Sequence, residues 1–418
     1  MGETTPSFLH FSARTERELG TRGASQVWQE VIALARTPGV IDLGQGWPDC
    51  LSDDTAKRAA AAAILDADNA RNNQYSAADG VPDLKQAIAE YYNALHPSWQ
   101  VGSTDVLVTT SATEALYCIT QAMLDAGDEV ICFEPVFPWY AAHVRLAGAT
   151  LKCVRMQPPH YRLDVDELAS AFSPRTKMVI FNSPHNPTGH VATREEVLGI
   201  ASLCVRHNVL ALSDEVYERK TFGGRIETRL RDAPGMAERT LTLGTSSKLL
   251  SLTGWRVAWV IAPSALLRGV SSAHSYASFC APTPLQIGVA AALREHAEAE
   301  RRSRRTDANM ADASAAVFER NTHALGSALT DVGLVVHPVE GGYFLVADIC
   351  ATGLDAGTYC KELIARARVA AVPMDVFYVA AEPPPPTTLV RFAICKSEHT
   401  IAAAAAAIRA HPLPLRVT

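Results

Sequence analysis

From about residue 104 the chain alternates short apolar runs with longer segments of helical period, and this alternation restricts the fold more than any other feature. "DVLVTT" (105–110) precedes "SATEALYCITQAMLDAGD", "EVICFEP" (129–135) precedes "WYAAHVRLAGA", and "KMVIFNSP" (177–184) precedes "TREEVLGIASLCVRHN" and then "VLALSDEVY". Strands that are apolar throughout need both faces of their sheet covered. The pattern therefore predicts βαβ units and an α/β fold with a mostly parallel central sheet flanked by helices. Such sheets bind ligands beyond the carboxyl ends of their strands, so chemistry is expected there.

The rhythm changes after about residue 295. "REHAEAERRSRRTDANMADASAAVFERNTHALGSAL" reads as one long charged helix with a solvated face, and "GLVVHPVEGGYFLVADI", "AGTYCKELIARAR" and "TLVRFAICKSEHTIAAAAAAIRAH" suggest a smaller α+β unit. The 418 residues are also long enough for two units, because single cores stop growing at roughly 250–300 residues. The "PPPP" of 383–386 marks a stiff surface turn, and the alanine runs at 59–63 and 402–407 are helix formers without chemistry.

A net charge of −6 offers no field suited to nucleic acid or an anionic membrane, which leaves a small molecule as the expected partner. No stretch approaches the ~20 apolar residues of a membrane helix, the N-terminus has no apolar signal region, and Pro6 spoils a myristoylation pattern. A cytoplasmic protein is expected. The nine cysteines form no C-x-x-C pair and no metal-ligand spacing; reduced, structural thiols and no metal site are expected.

Four polar clusters fall where strands should end. "SATEAL" (111–116) opens a helix whose free N–H groups could hold an anion, although the same residues also read as a plain N-cap. "NSPHNPTG" (182–189) is a proline-bracketed loop, "SDEVYE" (213–218) ends a strand in Asp214, and "GTSSK" (244–248) ends one in Lys248. Lys248 is the costly residue, since a buried ammonium needs a partner or a chemical use. A desolvated lysine of lowered pKa has one such use, condensation with an aldehyde.

Taken in order, the "NPTG" loop, the "DEVY" run 28 residues later, the "SSK…GWR" element and the C-terminal "RFA" resemble the fold-type I pyridoxal-phosphate aminotransferases of class I/II, from about residue 26 to 410. The resemblance implies a large cofactor domain (51–300), a small C-terminal domain (301–418) and an N-terminal segment (1–50) that joins the small domain and covers the substrate. It implies that Lys248 carries pyridoxal 5′-phosphate and then moves a proton, and that Asp214 pairs with the pyridine nitrogen. Tyr217 and Asn186 would hydrogen-bond the phenolic oxygen, and Phe137 would stack on the ring unless it is a core aromatic. Phosphate falls to Ala112, Thr113, Thr245, Ser247 and Arg256, with Tyr75 supplied by the neighbouring subunit of a homodimer. Arg391 would grip the substrate carboxylate with Gly46 and Asn186, while Trp28, Tyr140 and Phe279 complete the substrate site.

"DLGQGWPD" (42–49), "NQYSAADGVPDLKQAIAEYY", "EGGYFLVADI" (340–349) and "VPMDVFY" (372–378) are similar to the kynurenine aminotransferase and glutamine transaminase K group, with the methionine aminotransferases nearby. The implied activity is transfer of an amino group from aromatic, sulfur-containing or glutamine-type amino acids to a 2-oxo acid, by a ping-pong cycle through pyridoxamine phosphate. Two positions depart from the animal members: Thr113 replaces a common tyrosine and Cys280 a common histidine. No second arginine suited to an aspartate side chain stands near Trp28, Phe279 or Tyr276. Two other readings use the same residues: a β-lyase acting on cysteine conjugates or another pyridoxal-phosphate-dependent eliminase, and a non-catalytic cofactor-binding regulator.

Overall fold

The computed structural model describes residues 12, 15, 30, 32–50, 52–305, 313–379 and 382–416. A short strand β1 (Ile41–Asp42) is followed by β2 (Val106–Thr109), β3 (Glu129–Glu134), β4 (Thr150–Arg155), β5 (Thr176–Asn182), β6 (Leu210–Asp214), β7 (Thr240–Thr245) and β8 (Ala258–Ile261). The last seven form one sheet in the order β2-β8-β7-β6-β5-β3-β4. Strands β3 to β7 pair in parallel, and β8 runs antiparallel to both of its neighbours.

Every residue of β2, β3, β7 and β8 is buried, as a sheet covered on both faces requires. Along β5 the pleat sorts neighbours to opposite cores. Met178 and Ile180 pack with Leu116, Ile119 and Val144 of helices 112–123 and 138–146, whereas Val179 and Phe181 pack with Leu168 and Val197 of helices 165–171 and 194–207. Each such side chain contributes about 1.5–3 kcal/mol by leaving water. Near the end of β7, Gly244 lies against Trp259 and the Tyr92 hydroxyl, where any Cβ would collide with both.

The smaller unit contains β9 (Val335–Val336), β10 (Phe344–Asp348), β11 (Val369–Ala370), β12 (Val372–Pro373) and β13 (Leu389–Ala393). Its antiparallel sheet runs β12-β13-β10-β9, while β11 pairs in parallel with β1. That pairing draws residues 41–47 along the small sheet, and Ala393 N–H donates to Leu43 O at 2.7 Å. Of the charged stretch expected as one helix, the described residues are helical over Thr283–Arg305 and Ala313–Asp331, and residues 306–312 lie outside the described residues. Among the described residues no helix is long and apolar enough to cross a membrane.

Candidate active site

The polar clusters converge because parallel strands deliver their carboxyl ends to one edge. Strand β2 leads to Ser111 and Thr113, β5 to Asn182 and Asn186, β6 to Asp214 and Tyr217, and β7 to Thr245 and Lys248. Antiparallel β8 starts at that edge and so brings Arg256 to it. A cavity of about 220 Å³ lies there, closed from the small unit by Phe344 of β10 and Arg391 of β13. A larger cavity of about 530 Å³, bounded by Asp53, Leu250 and His296, contains none of the predicted site residues.

Lys248 sits in a single helical turn, Ser246–Leu249, capped by the Thr245 hydroxyl, which accepts from Ser247 N–H at 3.1 Å. The Tyr343 hydroxyl donates to the Lys248 carbonyl at 2.9 Å and fixes the turn from the small unit. The amine donates to Gly46 O and lies 5.1 Å and 5.9 Å from the ring centres of Tyr343 and Tyr217. It makes no ion pair among the described residues, and burial lowers its pKa to about 8. The expense anticipated from the sequence is therefore present, with a carbonyl and two aromatic faces as its partial relief.

Asp214 is 5% exposed, and burial pushes its pKa up to about 6 even though Tyr140 donates a hydrogen bond to Oδ2. Asn182 ties this strand end to the next loop: its amide nitrogen donates to Asp214 O and its Oδ1 accepts from Asn186 N–H, both at 2.8 Å. Asn186 Oδ1 in turn accepts from Arg391 Nη1 at 2.9 Å, while Arg391 Nη2 donates to Gly44 O at 2.9 Å. The guanidinium is fully buried between aromatic faces, 3.8 Å from the centre of Phe344 and 4.7 Å from Phe377. Burial lowers its pKa, yet guanidinium remains charged in proteins.

At the opposite end the helix Ala112–Met123 points its N-terminus into the cavity, and Ser111 accepts from Glu114 N–H at 3.2 Å. Ser111 adopts φ 107°, a left-handed conformation that side-chain-bearing residues rarely adopt and one typical of strained functional turns. Free helix N–H groups, the Thr245 and Ser247 hydroxyls and the exposed Arg256 border this end. Such a set attracts an oxyanion or phosphate.

Ala112, Thr113, Phe137, Tyr140, Asn186, Asp214, Tyr217, Thr245, Ser247, Lys248, Arg256, Gly46 and Arg391, all anticipated from sequence, line this one cavity. Tyr75 and Phe279 do not. They are 85% and 47% exposed and meet edge-on at 5.5 Å between ring centres, outside the cleft of their own chain. Trp28 lies outside the described residues. Tyr140, expected beside the substrate, spends its hydroxyl on Asp214. Asn182 and Phe344 were assigned no role from sequence; both stand in quoted motifs, "NSPHNPTG" and "EGGYF", but their partners are remote in the chain.

The donor set fits pyridoxal 5′-phosphate group by group. An ammonium without an ion pair suits the aldehyde, a buried carboxylate suits a protonated ring nitrogen, and a helix start with an arginine suits the phosphate. Residues 38–408 match the family profile described as aminotransferase class I and II. The methionine aminotransferase of Escherichia coli (strain K12) is 33% identical over 398 residues, covering 94% of this chain and 96% of that protein. Kynurenine–oxoglutarate transaminase 3 of Mus musculus is 32% identical over 414 residues, covering 92% of this chain and 88% of that protein. The structure of N-succinyldiaminopimelate aminotransferase from Mycobacterium tuberculosis superposes with a TM-score of 0.85 at 33% identity, covering 96% of this chain and all of that one.

Proposed function

The chain belongs to the class I and II aminotransferases, pyridoxal-phosphate-dependent enzymes that act on amino acids and 2-oxo acids, and from that premise we propose that it exchanges the amino group of an aromatic, sulfur-containing or glutamine-type amino acid. The observation that carries this reading is the cleft wall. Phe137, Tyr140, Tyr217 and Phe344 surround it, and among the described residues its cations are Lys248, Arg256 and Arg391, which the cofactor and the α-carboxylate would occupy. Among the described residues no lining cation is left for an acidic side chain, whereas aromatic faces favour apolar or thioether groups.

Bound pyridoxal phosphate supplies an aldehyde to condense with the amine and a ring that accepts the electrons left at Cα. Ala112 and Thr113 N–H groups, Thr245, Ser247 and Arg256 would hold its phosphate. Asp214 would pair with its ring nitrogen, and Tyr217 and Asn186 would hydrogen-bond its phenolic oxygen. Arg391 clamps the substrate carboxylate through two parallel N–H donors, which orients the Cα–H bond. Lys248, with its pKa near 8, is placed to act as the base that would take the proton from the substrate's Cα. Tyr75, exposed on its own chain, would complete the phosphate site of a second subunit, so the active unit is a homodimer.

The test is the visible spectrum of the purified protein with kynurenine, methionine, glutamine and phenylalanine added one at a time, with Lys248→Ala as control. Loss of the yellow band on adding the amino acid, restored by a 2-oxo acid, is expected. A cysteine S-conjugate that releases its thiol, ammonia and pyruvate without an amino acceptor would instead identify a β-lyase, and a band unchanged by every amino acid would identify a cofactor-binding regulator.

A further inference from the structure

The carboxylate grip is assembled from three segments, and two of them are locked together directly. Strands β10 and β13 pair with Val346 opposite Arg391 and Phe344 opposite Ala393, so Phe344 and Arg391 share one sheet. Asn186 belongs to the other sheet, on the loop after β5. Something must hold that loop to the small unit, because Asn186 meets Arg391 through a single hydrogen bond.

The connection lies just beyond Asn186. His190 is 5% exposed and sits between two carboxylates: Nδ1 is 2.9 Å from Glu340 Oε2, and Nε2 is 3.0 Å from Glu196 Oε2. Burial pulls its pKa down, but the hydrogen bonds and charges of the two carboxylates outweigh burial and raise it. Glu340 is 8% exposed; the same Oε2 accepts from Val191 N–H at 3.0 Å, and Oε1 accepts from Arg162 Nη2 at 2.7 Å. The main chain follows the same seam, with Glu340 N–H and Gly341 N–H both donating to Gly189 O, at 2.9 Å and 3.0 Å. Gly189 has φ +74°, and a Cβ there would press on Val339 and on the carbonyls of Phe344 and Gly341, so the two segments already touch at backbone distance.

Glu340 stands four residues before Phe344, and His190 four after Asn186. We propose that the Glu196–His190–Glu340 bridge positions Asn186 against the Arg391–Phe344 pair, and so sets the fit of the substrate's α-carboxylate. This rests on the assignment of Arg391 and Asn186 as the carboxylate grip. His190 and Glu340 are positioning residues; neither lines the cleft. A displacement of about 1 Å in such a grip can cost up to ~10²-fold, and removing one partner of a buried charged pair leaves the other uncompensated.

The experiment is steady-state kinetics of the holoenzyme with one amino acid and one 2-oxo acid, together with the affinity for 3-phenylpropionate, a carboxylate that has no amine to react. In Glu340→Ala the KM of both substrates and the Kd of 3-phenylpropionate rise about tenfold together, with kcat within about twofold. Glu340→Gln keeps an acceptor oxygen for Val191 N–H and recovers most of the loss. Should Glu340→Ala fail to accumulate, His190→Gln reads the same split. Unchanged KM and Kd in these variants, with only a lowered Tm or a lowered kcat, overturns the inference. Wild-type protein that exchanges no amino group overturns the functional reading instead, which separates the two failures.

Discussion

The Tyr140 hydroxyl donates to Oδ2 of Asp214, a carboxylate whose pKa burial has already pushed up to about 6. The bond favours the charged form and opposes the burial, so Tyr140 keeps Asp214 ionised at neutral pH. In Tyr140→Phe that support is gone and the carboxylate's pKa rises further. The acid limb of kcat/KM should then move to higher pH, with about a tenfold loss near pH 6 that fades toward pH 9. A loss of equal size at every pH would mean that the hydroxyl acts otherwise.

Lys248 costs the fold stability. Burial lowers its pKa from 10.5 to about 8, so between those values the unfolded chain binds more protons than the folded one and stability rises with pH. Below pH 8 the full penalty applies. Lys248→Met, compared with cofactor-stripped wild type at pH 7, should be more stable by about 1–2 kcal/mol after allowance for partial solvent access, with the gap narrowing by pH 10. The same variant should lose at least ~10³-fold in turnover, the trade of stability for activity seen at many active sites. Urea melts at the two pH values check the sign.

Arg391→Lys keeps the charge but should not keep the function. The guanidinium is sandwiched between Phe344 and Phe377 and donates along two directions, to Asn186 and Gly44. An ammonium cannot stack as a plane or offer two parallel donors. A rise of ~10²-fold in the KM of amino acids with a smaller change in kcat is expected, read from initial rates. Substrate affinity within twofold of wild type would move the carboxylate grip elsewhere.

The parts of the site that are legible in sequence are those written into consecutive residues at strand ends. Lys248, Asp214 and Asn186 each follow an apolar run and precede a turn, so periodicity alone places them on one edge of a parallel sheet. Arg391 stands out for a related reason, since its neighbours Leu389, Val390, Phe392, Ala393 and Ile394 are apolar and buried. Partnerships across long separations are not legible. Tyr140 and Asp214 are 74 positions apart and His190 and Glu340 are 150 apart; tertiary packing alone decides that they meet.

Tyr75 supplies the last prediction, because its ring is 85% exposed and packs on Phe279 rather than entering the cleft of its own chain. A phosphate-contacting role requires a second copy to bring the ring across a two-fold axis, the same patch serving both subunits. Lys248→Ala and Tyr75→Ala place their defects in different sites if the ring acts in trans. Unfolding neither variant but mixing them under exchange conditions should then create hybrid dimers in which one site holds both lesions and the other none. Random pairing leaves about a quarter of all sites intact, so activity should return to roughly that fraction of wild type. If Tyr75 serves its own chain, every site in the mixture keeps a lesion and mixing adds nothing beyond the sum of the separate variants.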